Sequence, residues 1–144
     1  MVTPSFQWNF EEDADGWAAF MGIDQFRAEG GNLCFKTTNA DPAIMRSTKE
    51  LRAARYGTLR IRMQVTGELP EQAAAQLFWT IGAGKTSETN SLPFRLQQDG
   101  ALQEYTLDLA GHPRWRGTVT SLRFDPCNFS GARICIDEIA FIRR

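Results

Sequence analysis

Apolar and polar side chains alternate along much of this chain with a period of two. Phe6, Trp8 and Phe10 are separated by polar residues, and Leu33 and Phe35 repeat the pattern after Gly30-Gly31. The alternation is clearest where Leu59, Ile61, Met63 and Val65 interleave with Arg60, Arg62 and Gln64. Leu77, Trp79 and Ile81 interleave with Gln76, Phe78 and Thr80. Phe94 and Leu96, Tyr105 and Leu107, and Leu122 and Phe124 follow, before Ile134, Ile136 and Ile139 close the series. A period of two sends successive side chains to opposite faces of an extended segment, so each of these stretches reads as a strand with one buried face.

Turn-forming clusters separate the strands, at 13–16, 39–42, 67–70, 82–90, 99–100, 111–113 and 128–131. Only Ser47–Arg55 has helical composition, with Ser47 placed to cap and Glu50 three residues on, and it is expected to form one or two helical turns. Many short, punctuated strands predict an all-β antiparallel β-sandwich of jelly-roll type. No repeat or linker interrupts residues 1–144, which read as a single domain.

Composition narrows the function more than the fold. Hydrophobic residues at 42% and charged residues at 23% place the chain among folded proteins rather than disordered ones. A net charge of -1 lacks the basic excess of a dedicated nucleic-acid binder. No stretch approaches the roughly 20 apolar residues of a membrane span, and the opening MVTPSFQWNF has no signal-peptide pattern. Three cysteines, Cys34, Cys127 and Cys135, have no metal-ligand spacing. A bridge between Cys34 and Cys135 is conceivable, but the odd count favours free thiols.

The opening FEEDADGW, the turn EGGNLCF, the pair Asp41-Pro42 and the closing ICIDEIAFI resemble the galactose-binding-like jelly roll shared by many carbohydrate-binding modules. The later stretch DGALQEYTLDL followed by WRGTVTSLRFDP is similar to modules appended to bacterial extracellular and glycan-processing proteins. The resemblance implies a polysaccharide ligand, an extracellular or cell-surface setting within a larger protein, and an attached or partner catalytic domain. It also implies a structural calcium ion near the two termini. Carried onto this chain, the calcium donors are Asn9, Glu11, Glu29, Asn32 and Asp137, oxygen ligands of the hard type this ion prefers.

Sugar rings stack their C–H faces on aromatic side chains, while their hydroxyls seek planar polar groups. On the alternation above, Arg60, Arg62, Gln64, Gln76, Phe78, Arg95, Gln97, Arg123 and Asp125 all point away from the core. If their strands are neighbours they form one arginine-rich face able to hold hydroxyls or the carboxylates of an acidic glycan. Trp17, Trp115 and Phe129 are candidates for lining a cleft at the strand ends, whereas Trp8 and Trp79 share the parity of the core.

Three other signals are weaker. Gly82–Thr86 looks like the end of a phosphate loop but lacks the preceding glycine, position 79 being Trp79. The single histidine, His112, has no nucleophile motif near it. Glu11, Glu12, Asp13 and Glu88 are the carboxylates available for glycoside hydrolysis. The expected function is therefore a non-catalytic carbohydrate-binding module. The rivals are a protein-interaction domain on the same scaffold and, behind it, a polysaccharide lyase or hydrolase.

Overall fold

The computed structural model describes residues 6–144; the first five residues, part of the segment read for a signal peptide, lie outside them. Its strands are, in chain order, β1 (Gln7–Trp8), β2 (Ala18–Met21), β3 (Ile23–Glu29), β4 (Asn32–Thr37), β5 (Ala43–Arg52), β6 (Tyr56–Thr66), β7 (Ala74–Ile81), β8 (Ser91–Arg95), β9 (Leu102–Asp108), β10 (Thr118–Asp125) and β11 (Arg133–Arg143). One sheet has the order β3-β4-β11-β6-β9, with β1 also paired to β11; the other has the order β2-β5-β10-β7-β8. Every pairing is antiparallel. The molecule is an all-β, jelly-roll-like sandwich of two antiparallel sheets.

The alternation read from the sequence does the folding work. Leu59, Ile61, Met63 and Val65 of β6, beside Ile134, Ile136 and Ile139 of neighbouring β11, face Leu77 and Trp79 of β7 and Leu122 and Phe124 of β10 in one buried cluster. Trp8 and Trp79 lie in the same cluster, as their parity required. Trp8 meets Trp17 edge-on at 5.6 Å, and Trp79 meets Trp115 at 5.2 Å, the T-shaped geometry that aromatic quadrupoles favour.

Two expectations are corrected. Ser47–Arg52 is not helical but continues β5, and only Ala53–Arg55 forms a single 3-10 turn. Packing overrides composition here: Leu51 is fully buried, the Thr48 hydroxyl donates to the Val119 carbonyl at 2.7 Å, and Ser47 pairs with Ser121 rather than capping a helix. Cys34 and Cys135 are not free thiols. They are opposed residues of β4 and β11 and are joined by a disulfide, leaving Cys127 as a buried free cysteine.

The pairing of β11 decides where the N-terminal segment lies. β6 runs along one edge of β11 over its whole length, so β1 and β4 must share the other edge. β4 covers Arg133–Ile136 and β1 covers Ile139 and Ala140. Asp137 and Glu138 stand at the junction, where the register also slips by one residue.

Candidate functional site

On β10, burial of Leu122 and Phe124 forces Arg123 and Asp125 onto the outer face of the second sheet. β7 does the same with Leu77 and Trp79 against Gln76 and Phe78, and the register sets Phe78 beside Arg123 and Gln76 beside Asp125. β8 continues both rows with Ser91 and Pro93, and Arg95 stands one step further along, opposite Ala74. On the other side, Met45 of β5 adjoins Arg123 and pairs with Ala18 of β2, from which Phe20 projects with 52% of its surface exposed.

Arg123 is the centre of this face. Its Nε and Nη2 donate to the two carboxylate oxygens of Asp125 at 2.8 and 3.0 Å, and Nη2 reaches Asp41 at 3.1 Å. The guanidinium also lies 5.0 Å from the Phe78 ring centre and 5.7 Å from that of Phe20, within cation–π range of both. Next to it Gln76 donates to Glu88 at 3.0 Å and to Ser91 at 2.9 Å, tying the 82–90 loop down over β7. A groove of about 390 Å³ follows this cluster, lined by Asp41, Gln76, Phe78, Glu88, Arg123 and Asp125, with Thr86 and Ser87 on its rim.

The groove carries three carboxylates against one guanidinium. Burial pushes the Asp125 carboxyl up to about 6, and the Arg123 hydrogen bonds pull against that rise. Hydrogen bonding to Asp125 holds the Arg123 guanidinium firmly protonated, against a smaller cost of burial. Three of the five Arg123 N–H donors serve two aspartates, and the carboxylates around the groove repel an incoming carboxylate from the pair left on Nη1. The remaining acceptors, amide and hydroxyls suit a ligand rich in neutral hydroxyl groups.

The single arginine-rich face expected from alternation does not exist. Arg60 and Arg62 belong to β6, which lies in the other sheet between β11 and β9. There Arg60 donates to Glu138 at 2.8 Å, and Gln7 donates to the other carboxylate oxygen at 2.6 Å. Burial raises the Glu138 carboxyl, but those two donors outweigh it and leave it below its usual range. Arg62 lies 3.9 Å from Glu104 and 3.8 Å from Asp137. Alternation separates inward from outward residues, but it does not say to which sheet a strand belongs.

Gln97 lies beyond the end of β8, where its backbone N–H donates to the Tyr105 hydroxyl at 3.0 Å. Trp115 is not a cleft aromatic. It is 4% exposed, donates its Nε1–H to the Tyr56 carbonyl at 2.7 Å and stacks on Phe141. Trp17 is likewise buried, and Phe129 is packed partly against the core. Phe20, Asp41 and the binding role of Glu88 were not legible in the sequence, whereas Gln76 was. Phe20 sits in Ala18–Met21, too short and too exposed to show alternation, and Asp41 and Glu88 lie in loops.

The expected calcium donors are only partly gathered. Glu29 is taken up by Arg133 at 2.9 Å and Arg27 at 3.0 Å, which lower its carboxyl below the usual range. Glu11 reaches across to the turn before β4, where a Cβ on Gly31 would stand 3.4 Å from its Oε2. Asn32 opens β4 and Asp137 follows the residue that pairs with Leu33, so both adjoin the junction of β4 and β1 along β11. Asn9 continues β1 toward the same place, its Oδ1 accepting from the Glu11 amide at 3.3 Å. Among the described residues no three acidic, histidine or cysteine side chains gather into a metal-binding group. A cation at this junction would depend on Glu11, Asp137, the asparagines and backbone carbonyls. Also among the described residues, no helix is long and apolar enough to cross a membrane.

Neither a family model nor a curated protein matches the sequence. Solved structures do match the fold. A family 29 carbohydrate-binding module complexed with cellulohexaose superposes with a TM-score of 0.64 at 17% identity, covering 96% of this chain and 88% of that one. A low-affinity xylan-binding module of family 86 from Roseburia intestinalis gives 0.59 at 12% identity, covering 92% and 93%. A family 28 module specific for non-crystalline cellulose gives 0.61 at 12%, covering 98% and 93%. The likeness extends across several families and does not single out galactose-binding modules: this chain has the jelly-roll β-sandwich fold of carbohydrate-binding modules.

Proposed function

We propose that the protein is a non-catalytic glycan-binding module that uses the outer face of the second sheet to hold an uncharged polysaccharide. The observation that carries this reading is the Arg123–Asp125–Asp41 cluster beside an exposed Phe20, with Gln76 and Glu88 continuing the polar row. An aromatic ring next to fixed acceptors and donors offers both the stacking surface and the hydroxyl partners that sugars need. Three similar modules are described with xylan, cellulohexaose or non-crystalline cellulose, saccharides whose backbones are uncharged xylose or glucose units. In the family 29 module, an arginine and an aspartate two positions apart were replaced to probe ligand recognition, the same spacing as Arg123 and Asp125.

A protein-docking role is less well supported, because the large exposed apolar side chains are dispersed. Phe20, Leu102 and Ile142 lie on β2, β9 and β11, so they form no continuous patch. A hydrolytic role would need paired carboxylates; Asp41 and Asp125 are instead both bonded to Arg123.

Titration of the domain with xylo- and cello-oligosaccharides tests the reading. Weak, saturable binding is expected, because a shallow polar groove expels little apolar surface. Phe20→Ala should weaken it about fivefold through lost stacking while leaving the melting temperature unchanged. Leu102→Ala on the opposite sheet should leave affinity untouched. Equal affinity in the Phe20 and wild-type proteins would move the site elsewhere.

Two further elements belong to this proposal. The disulfide supports an oxidising, extracytoplasmic setting, in which the domain is carried by a larger protein that includes the catalytic partner. A structural calcium at the β4–β1 junction, held by Glu11, Asp137, Asn32 and Asn9, would stiffen the terminal strands. Under this proposal millimolar calcium should raise the melting temperature of the wild-type protein and leave that of Asp137→Ala unmoved. A wild-type melting temperature indifferent to calcium and chelator would remove the ion from the proposal.

A further inference from the structure

The end of the sandwich where β5, β6, β10 and β11 meet gathers five arginines around one turn. Arg52 pairs with Thr118, and the following Ala53 amide bonds to the Gly117 carbonyl at 3.0 Å, so Arg52 and Arg116 stand at the same end of the β5–β10 pair. Arg143 pairs with Tyr56 and holds its guanidinium 5.7 Å from that ring. The Arg144 amide bonds to the Arg55 carbonyl at 2.9 Å, and its Nη2 reaches the Ala53 carbonyl at 3.3 Å. The buried Trp115, bonded to the carbonyl of Tyr56, pegs Arg116 to the same turn.

All five are exposed, and among the described residues none has a carboxylate within ion-pair distance. Arg27, Arg60, Arg62, Arg123 and Arg133 are by contrast each ion-paired. The acids near this end are Glu50 on β5 and Asp108 at the end of β9, and the latter accepts the Gly111 amide of its own turn at 3.2 Å. A chain of net charge -1 thus carries a strongly positive end. Crowding guanidinium groups without counter-charges costs stability through mutual repulsion. Among the described residues the side chains of Arg52, Arg55 and Arg116 make no hydrogen bond that would offset it.

We propose that this basic end is a second binding surface, separate from the neutral-sugar groove, that takes a carboxylated polysaccharide. The forked N–H donors of each guanidinium match the two oxygens of a carboxylate. An open surface of several such groups suits a flexible polyuronate held by many weak pairs. The disulfide points to a setting outside the cytoplasm, which favours a glycan over a nucleic acid as the polyanion. This surface also answers to the acidic ligand that Arg123, committed to its aspartates, is poorly placed to receive.

Affinity electrophoresis in gels containing polygalacturonate tests the proposal, with neutral xylan, dextran sulfate and duplex DNA of matched charge concentration in parallel. Wild type should be retarded by polygalacturonate, and raising ionic strength from about 0.05 to 0.5 M should weaken the interaction at least about tenfold. The double variant Arg52→Ser, Arg116→Ser should lose about tenfold in affinity, the combined effect of two charge-assisted contacts. It should melt like wild type and bind neutral glycan equally well. Lys36→Ser, which removes an exposed cation on β4 of the other sheet, at the far end of β11 from Arg143, should behave as wild type. Absence of retardation, full retardation of the double variant, or tighter binding to dextran sulfate or DNA than to polygalacturonate would overturn it. Failure of neutral glycan to bind would instead refute the groove and leave this surface standing.

Discussion

Arg123→Ala should abolish neutral-glycan binding and also destabilise the domain by about 2–3 kcal/mol, because it strands a buried carboxylate. Asp125 is only 8% exposed and relies on Arg123 for both of its charge-assisted bonds. At this chain length the cost corresponds to a melting temperature about 6–9 °C lower. The deficit should also depend on pH. Asp125 titrates near 6 in the folded protein, above its ordinary value of 3.8, so the native state binds this proton more tightly than the unfolded chain. Through this group, acidification from about 6 toward 4 stabilises the fold, and raising the pH through 6 removes that gain. Without Arg123 the carboxyl rises further, which makes the variant's deficit largest above neutrality and smaller near pH 5. Adding Asp125→Asn should recover part of the stability but not the binding. A deficit constant from pH 5 to 8 would show that the loss comes from packing against Phe78 and Phe20 rather than from the stranded charge.

Reducing the Cys34–Cys135 bridge is the second large perturbation. The bond closes a loop of sequence separation 101, and a loop of that length restricts the unfolded chain by about 5 kcal/mol. Cys34→Ser with Cys135→Ser should therefore lower the melting temperature by about 14 °C. It should leave the groove intact, because both cysteines belong to the opposite sheet. Thiol labelling of the denatured, unreduced wild-type protein should modify Cys127 alone. Labelling of all three cysteines would show that the bridge does not form.

Most of the fold was legible because one physical rule, alternation about a buried face, governs most of the strands. It named the inward residues of β6, β7, β10 and β11 correctly. It missed β2 and β3, whose side chains are largely half-buried or exposed, and it misread Ser47–Arg52, where contacts with β10 decide the conformation. The candidate site was legible only in part. Gln76, Phe78, Arg95, Arg123 and Asp125 do share a face, whereas Arg60 and Arg62 sit on the far sheet and Trp115 is a core residue. The arginine error arises because local periodicity carries no information about which strands become neighbours, and Trp115 was misplaced because it lies in a loop, where no periodicity reports burial. The cysteine pairing failed for the first of these reasons, since opposition of Cys34 and Cys135 depends on the register of β4 with β11.

The position of β11 has a consequence for biosynthesis. Residues Arg133–Arg143, near the end of the sequence, form an interior strand gripped by β4 and β1 on one edge and β6 on the other. Until they emerge from the ribosome, β4 and β6 have no partner on the sides that β11 will fill. The nascent chain must therefore wait with two open, hydrogen-bond-hungry strands, the condition in which aggregation and chaperone capture compete with folding.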